Sequence, residues 1–268
     1  MACDVPARII RHQALNPGHF LLTLEAPAIA RRARPGQFVM LQTRDGSDPL
    51  LRRPMSIYRI VPGRRGLFQV LYKVVGRGTR YLSQQRTGQS LAVLGPLGNG
   101  FSLPRSGARV LPILVAGGIG IAIFPFLADA LRGRRLRPIL LFGGRSRHDL
   151  VSLAYFRAAQ VGIRLATEDG SAGARGFVTR LLEPLLAAPG LGPTLRLYVC
   201  GPTPMLKAVG EMAAGAGVHC QLALEAQMPC GIGVCLGCVV PCPGEPGQPI
   251  YRRVCTEGPI FASGEVLL

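Results

Sequence analysis

Lysine is almost missing from this 268-residue chain: Lys73 and Lys207 are the only two, so arginine carries the formal charge of +17. Acidic residues are also scarce, 14 against 31 basic ones. The basic excess never condenses into a tract, because Arg8, Arg31, Arg52, Arg77, Arg134, Arg164 and Arg252 are spread along the chain. Nucleic-acid readers need a clustered basic face with a reading motif, and neither a helix-turn-helix pattern nor a set of stacking aromatics is present. A solvated basic surface that attracts anionic cofactors or an acidic partner is expected, with no nucleic acid among the partners. No fixed-period repeat or low-complexity stretch occurs, which excludes a solenoid. Met1 to Pro6 offers neither a charged n-region nor an apolar h-region, so a cytoplasmic protein is expected. One charge-free run, Val110 to Ala128, nears the length of a membrane span. Pro112, Gly117, Gly118, Gly120 and Pro125 interrupt it, so it predicts a buried strand-turn-helix and no membrane contact.

What is present describes a globular, turn-rich protein: 48% apolar residues, with 35 Gly and 23 Pro. The length exceeds one comfortable core, which predicts an α+β multidomain chain of three units. Residues 1–104 read as an antiparallel β-barrel. Phe20, Leu22 and Leu24 alternate with Leu21, Thr23 and Glu25, and Phe68, Val70 and Tyr72 with Gln69, Leu71 and Lys73. Pro35-Gly36, Pro62-Gly63 and Gly95-Pro96 punctuate the strands, and one short helix is expected near Thr79 to Gln84. Residues 105–224 change to a strand-turn-helix rhythm, with strands expected at Val110 to Val115, Pro138 to Phe142, Ile163 to Thr167 and Leu195 to Cys200. That rhythm implies a parallel-sheet α/β nucleotide-binding domain with helices on both faces. Met205, Leu206, Val209 and Met212 share one helical stripe, which makes the methionines core rather than ligands. Residues 225–268 read as a small module built on a cysteine-bearing loop.

Cys230, Cys235, Cys238 and Cys255 follow the C-x4-C-x2-C…C spacing of plant-type [2Fe-2S] proteins. The close set must wrap a cluster with backbone N–H groups aimed at its sulfurs, and Gly231, Gly233 and Gly237 can supply the unusual dihedrals this needs. Structural zinc is the competing reading, but it favours paired C-x2-C knuckles, and only Cys235 and Cys238 have that spacing. Disulfides are disfavoured in a chain without an export signal. Cys242 is an extra thiol that either replaces a ligand or sits nearby, whereas Cys3 and Cys220 read as ordinary thiols.

Val115-Ala116-Gly117-Gly118-Ile119-Gly120 ends a strand and opens a helix. Glycines there let a pyrophosphate approach the backbone and the positive helix end. Cys200-Gly201-Pro202 forms a second such turn, and both are expected at the carboxyl edge of one sheet, where open α/β sheets bind ligands. Arg145 and Arg147 follow a strand end and could meet a 2′-phosphate, which leaves NAD against NADP open. Thr167 to Ser171 reads as a turn.

Together these motifs resemble the ferredoxin-NADP reductase superfamily. Arg52-Arg53-Pro54-Met55-Ser56, Gly76-Arg77-Gly78-Thr79, Gly95-Pro96-Leu97-Gly98, the two glycine turns and Met228 to Cys238 most closely resemble the electron transfer subunits of class 1B dihydroorotate dehydrogenases. The likeness runs from about residue 5 to the C-terminus. It implies an FAD-carrying barrel, NAD(H) on the α/β domain and a [2Fe-2S] cluster on the C-terminal module. Arg53 would pair with the flavin pyrophosphate, Pro54, Met55 and Ser56 would lie along the isoalloxazine, and Ser56 would sit near its N5. Leu71, Tyr72, Lys73, Gly78 and Thr79 match flavin-binding positions. Gly117, Gly118, Gly120, Cys200, Gly201 and Pro202 match dinucleotide positions, and the four spaced cysteines match the cluster ligands. No residue is expected to act as a catalytic acid or base. The implied partner is an FMN-containing dihydroorotate dehydrogenase catalytic subunit, in a heterotetramer. A related reductase serving a hydrogenase, a ferredoxin or another dehydrogenase would use the same motifs. In one departure from the family pattern, Ile121-Ala122-Ile123-Phe124 separates the glycine turn from Pro125, which shifts the expected helix start.

Overall fold

The computed structural model describes residues 2–44, 46, 48–64, 66–187, 194–245 and 247–268. Its first sheet contains β1 (Cys3–Asn16), β2 (His19–Glu25), β3 (Phe38–Leu41), β4 (Arg53–Ser56), β5 (Arg59–Ile60), β6 (Leu67–Lys73) and β7 (Ser90–Leu97). The strands are antiparallel in the order β4-β3-β7-β1-β2-β6-β5, and α1 (Pro27–Ala30) and α2 (Arg77–Ser83) fill the connections. Period-2 alternation builds the interior: Ala7 and Ile9, Leu22 and Leu24, Val39 and Leu41, Phe68 with Val70 and Tyr72, and Leu91 and Val93 all enter one core. Among the described residues no ladder joins the edge strands β4 and β5, so the barrel is curled but open. Its outer face is only partly solvated. Leu71 turns outward into the core of the second sheet, and Phe38, Met40 and Leu97 join a core shared with the cysteine module.

The second sheet holds β8 (Val110–Gly117), β9 (Ile139–Gly144), β10 (Gly162–Thr167), β11 (Ala174–Arg175), β12 (Thr194–Cys200) and β13 (His219–Ala223), all parallel. Ile113, Val115, Leu141, Leu197 and Val199 face one side with α5 (Thr179–Leu186) and α6 (Thr203–Gly215). Leu114, Ala116, Leu140, Phe142 and Tyr198 face the other with α3 (Phe124–Gly133) and α4 (Leu153–Ala158). The charge-free run resolves as β8, a 3-10 turn over Gly118–Ile123 and then α3, with Pro125 in its first turn, where a missing N–H costs nothing. Of the residues inserted before Pro125, Ile121, Ala122 and Ile123 therefore complete that turn and Phe124 opens α3. No helix among the described residues is long and apolar enough to cross a membrane.

Beyond residue 225 the expected loop is only part of the module. β14 (Val239–Glu245) and β15 (Gln248–Arg253) form a hairpin, and β16 (Ile260–Ala262) adds antiparallel to β13. The second sheet is therefore mixed, and the chain end returns to it. Pro241, Pro243 and Pro249 hid the hairpin, because proline interrupts a strand pattern yet is tolerated in a two-stranded sheet with free edges.

The barrel is tied to the second sheet by polar contacts. Arg59 Nε donates to Asp129 Oδ2 at 2.9 Å, Tyr58 Oη and Ser152 Oγ are 2.7 Å apart, and Lys73 Nζ lies 3.2 Å from Asp149 Oδ1.

Candidate functional site

Strand β8 feeds β9 and β10 on one side of the sheet, and β12 starts the other, so the order reverses between β8 and β12. A crevice opens at the carboxyl ends of such a pair. Here the two glycine turns abut. A Cβ on Gly117 would lie 2.7 Å from Met205 Sδ and 2.9 Å from Pro202 Cδ, and one on Gly120 would lie 2.4 Å from the Cys200 carbonyl oxygen. Gly201 is pressed between Met205 and Gly117. Met205 is thus a packing partner of both turns.

Beside them is a cavity of about 540 Å³ lined by Gly117, Gly118, Pro202, Arg145, Glu168 and Lys73 among others. Gly118 has φ 52° and nothing within 4 Å of its would-be Cβ, so its backbone is open to a ligand. Gly120 and Gly201 lie behind the turns as spacers and do not line the cavity. Arg147 is not in the lining either; its N–H donates to Ser171 Oγ at 2.8 Å. Burial works against ionisation of Asp149, but the Lys73 hydrogen bond and charge outweigh it and hold the carboxyl below its ordinary range.

A second cavity of about 350 Å³ lies between barrel and sheet. Arg53, Pro54, Met55, Ser56, Leu71, Tyr72, Lys73 and Thr79 line it, joined by Cys200 from β12 and by Ile119 and Ile123 from the glycine turn. Lys73 reaches both cavities. A Cβ on Gly78 would sit 2.5 Å from Arg53 Nε, so this glycine makes the room the guanidinium occupies. Arg53 Nη1 donates to the Leu51 carbonyl at 2.5 Å, and Thr79 Oγ1 accepts from the Val75 and Gly76 N–H groups. Desolvation raises the Cys200 thiol, and then the Glu225 charge, so it stays neutral. Tyr72 Oη meets His12 Nε2 at 2.8 Å, while His12 Nδ1 meets the Gln85 carbonyl at 2.8 Å.

Sequence reasoning missed the far wall of this cavity: Glu225, Met228 and Pro259, all from the C-terminal module. No local pattern marks them, although Met228 and Pro259 flank the cysteine motif. Glu168 and Phe177 in the larger cavity were missed in the same way.

The four spaced thiols draw together in two pairs, Cys230 with Cys235 and Cys238 with Cys255. Gly237 N–H donates to Cys235 Sγ and Cys255 N–H to Cys238 Sγ, both at 3.4 Å. Partial burial opposes it, but the N–H groups of Ile232, Cys235 and Val234 and the Cys235 side chain bring the Cys230 thiol down to about 6. Cys255 goes the other way: burial, then the hydrogen bond and charge of Cys238, push it up to about 11. Cys238 and Cys255 are buried while Cys235 is exposed. Among the described residues no three acidic, His or Cys groups gather as for a single metal ion. Backbone N–H groups aimed at several thiols suit a cluster that needs all four as thiolates. The left-handed backbone falls at Gly231 (φ 74°), Gly233 (φ 84°) and Leu236 (φ 56°). Gly237 is not among them and instead makes room for Pro229, 3.0 Å from its would-be Cβ. Cys242 stands apart on β14, its thiol donating to the Val240 carbonyl at 3.7 Å.

With that geometry in place, comparison with known proteins decides the family. A model described as the iron-sulfur cluster binding domain of dihydroorotate dehydrogenase B matches residues 225–267. The dihydroorotate dehydrogenase B (NAD(+)) electron transfer subunit of Desulforamulus reducens is 38% identical over 261 residues, 97% of each chain. That of Geobacillus thermodenitrificans is 40% identical over 260 residues, again 97% of each. The chain belongs to this family of electron transfer subunits. The solved structure of an NADH-dependent reduced ferredoxin-NADP oxidoreductase matches with a TM-score of 0.83 at 29% identity, covering 97% of this chain and 89% of that one. A ferredoxin reductase of carbazole 1,9a-dioxygenase, at 23% identity and a TM-score of 0.65, covers 81% and 67% and shares the fold. The family's two-sheet body and cysteine module thus account for the whole described chain.

Proposed function

We propose that this chain carries electrons between NAD(H) and a partner dehydrogenase, using FAD on the barrel, a [2Fe-2S] cluster on residues 225–268 and the dinucleotide on residues 105–224. With the groups bound, flavin exchanges a hydride with nicotinamide and single electrons with the cluster. The observation that carries the reading is a shared wall. Met228, two residues before Cys230, and Pro259, four after Cys255, line the same cavity as Arg53 and Ser56. The cysteine module and the flavin site therefore adjoin.

In this reading the chain's own residues bind and space. Arg53, lodged against Gly78, holds the flavin pyrophosphate, and Thr79 braces the turn beside it. Pro54, Met55 and Ser56 with Leu71 and Tyr72 shape the isoalloxazine slot. Gly117, Gly118 and Pro202 receive the dinucleotide, with Gly120 and Gly201 keeping the turns in contact, and Lys73 stands at the junction. Neutral Cys200 fills the floor without adding charge. Cys230, Cys235, Cys238 and Cys255 hold the cluster. No side chain need transfer a proton.

The partner is an FMN-bearing dihydroorotate dehydrogenase catalytic subunit, in a heterotetramer, and the complex is cytoplasmic. Support for a docked partner comes from Ile232, Val234 and Leu236, which are 51%, 73% and 59% exposed around Cys235. Apolar side chains over a redox ligand favour a protein cover. The likeness to a ferredoxin-NADP oxidoreductase supports a second reading, in which the partner is ferredoxin-linked. Anaerobic co-purification with the catalytic subunit, iron and sulfide analysis, and an assay of dihydroorotate-dependent NAD⁺ reduction test both. Flavin and cluster bands with that activity are expected. Zero iron and sulfide would overturn the relay, and an intact coloured complex indifferent to dihydroorotate would favour the second reading.

A further inference from the structure

The cofactor cavities sit at the carboxyl ends of the parallel strands. At the opposite end, just before β9 and β10, lies a concavity of about 380 Å³ that the redox reading does not use. Arg132, Arg135, Arg137 and Gln160 form its polar lining, over a floor that includes buried Leu136 and Val161.

Two features bear on what it could hold. The first is a local concentration of guanidiniums, three on one concavity. Among the described residues Arg135 and Arg137 have no ion-pair partner, and Arg132 reaches only Asp129 at 4.0 Å. That carboxylate is already engaged by Arg59 at 2.9 Å. The second is backbone conformation. Arg135 (φ 61°) and Gln160 (φ 54°) are left-handed, and they are two of only four such non-glycine residues among those described. Each follows a helix that ends the same way, with Leu136 N–H bonded to Leu131 O and Val161 N–H to Phe156 O. Glycine is the least strained residue at that position. The chain instead carries donor-bearing side chains there, from two separate helix ends, and both line one concavity. Compensation of the helix dipoles explains a cation in the last turn, such as Arg132. It does not explain Arg137, which lies beyond the helix, or uncharged Gln160.

We propose that this concavity binds a small anion bearing two or three phosphates, of the nucleoside di- or triphosphate class, with phosphates on the guanidiniums and an apolar body over Leu136 and Val161. Guanidinium forks suit phosphate oxygens, and the volume falls within the range of small-molecule pockets. The site is at the far edge of the sheet, so binding there leaves the dinucleotide cavity free.

Calorimetric titration of the holoenzyme with ATP and with inorganic tripolyphosphate, at physiological salt and saturating NAD⁺, tests this. One saturable site is expected for each, tighter for ATP, and Arg135→Gly with Arg137→Ala should weaken it about tenfold or more. Arg135→Gly alone should lose affinity while thermal stability holds or rises, since φ 61° suits glycine, which separates lost binding from lost folding. An isotherm unchanged in the double variant, or no saturable binding to wild type, overturns the proposal. A single-stranded RNA of equal charge that binds this face more tightly than tripolyphosphate also overturns it, in favour of a nucleic-acid surface.

Discussion

Replacing Gly78 by alanine isolates the role given to Arg53. Gly78 does not lie in the left-handed region, so its backbone accepts alanine. The new methyl carbon would lie 2.5 Å from Arg53 Nε, 2.8 Å from Cζ and 2.9 Å from Nη2, all well inside contact distance. The guanidinium is a flexible end and must move by about an ångström, which misaligns a fork that binds phosphate by geometry. Charge-assisted hydrogen bonds contribute about 1.5–3 kcal/mol, so FAD affinity should fall by about 10- to 150-fold. Stability of the flavin-free protein should change by less than about 1 kcal/mol, because Gly→Ala itself restricts the unfolded chain. The assay is FAD titration of apoprotein for G78A, R53A and the double variant. If alanine acts through Arg53, the double variant binds FAD no more weakly than R53A alone. Additive losses, or an unchanged affinity in G78A, would refute the reasoning.

Gly231→Ala should be severe, since φ 74° disfavours any side chain and the methyl would lie 2.6 Å from Met40 Cγ. Left-handed strain of ~1–2 kcal/mol and overpacking of ~1–3 kcal/mol predict lower cluster content and thermal stability, and Met40→Ala should restore only the packing part. Glu168→Gln, which removes a negative charge from the larger cavity, should raise kcat/KM for NADP⁺ relative to NAD⁺ in steady-state assays, while Arg145→Ala should lower it. Asp149 is held below the usual carboxylate range, so its contribution is present above its unfolded pKa and is lost as pH falls through the folded value. Urea midpoints measured from neutrality down to about pH 3 should therefore fall less steeply in Asp149→Asn, which starts slightly less stable at neutral pH.

The motifs legible in the chain are those whose chemistry is local. Cysteine spacing constrains one loop, a glycine turn constrains one strand-to-helix junction, and alternation in β2 and β6 reports which side of a strand is buried. The same locality explains the misreadings. Gly237 looked like a source of unusual dihedrals because glycine permits them, but neighbouring Pro229 decides its use, and Leu236 takes the left-handed position instead. The β14–β15 hairpin was obscured because proline silences the alternation that would have revealed it.

From its sequence alone this protein had its three-part order, its four spaced thiols and its two glycine turns, since each depends on short-range stereochemistry. Only the tertiary structure decided that Pro259 would face Arg53 across about 200 residues of chain. It likewise decided that Lys73 would serve two cavities, that β16 would return to β13, and that arginines from the end of α3 and Gln160 from the end of α4 would share one hollow. Those juxtapositions follow from burying the outer face of the barrel against a second sheet. That packing depends on surfaces assembled from distant segments, which no window of neighbouring residues encodes.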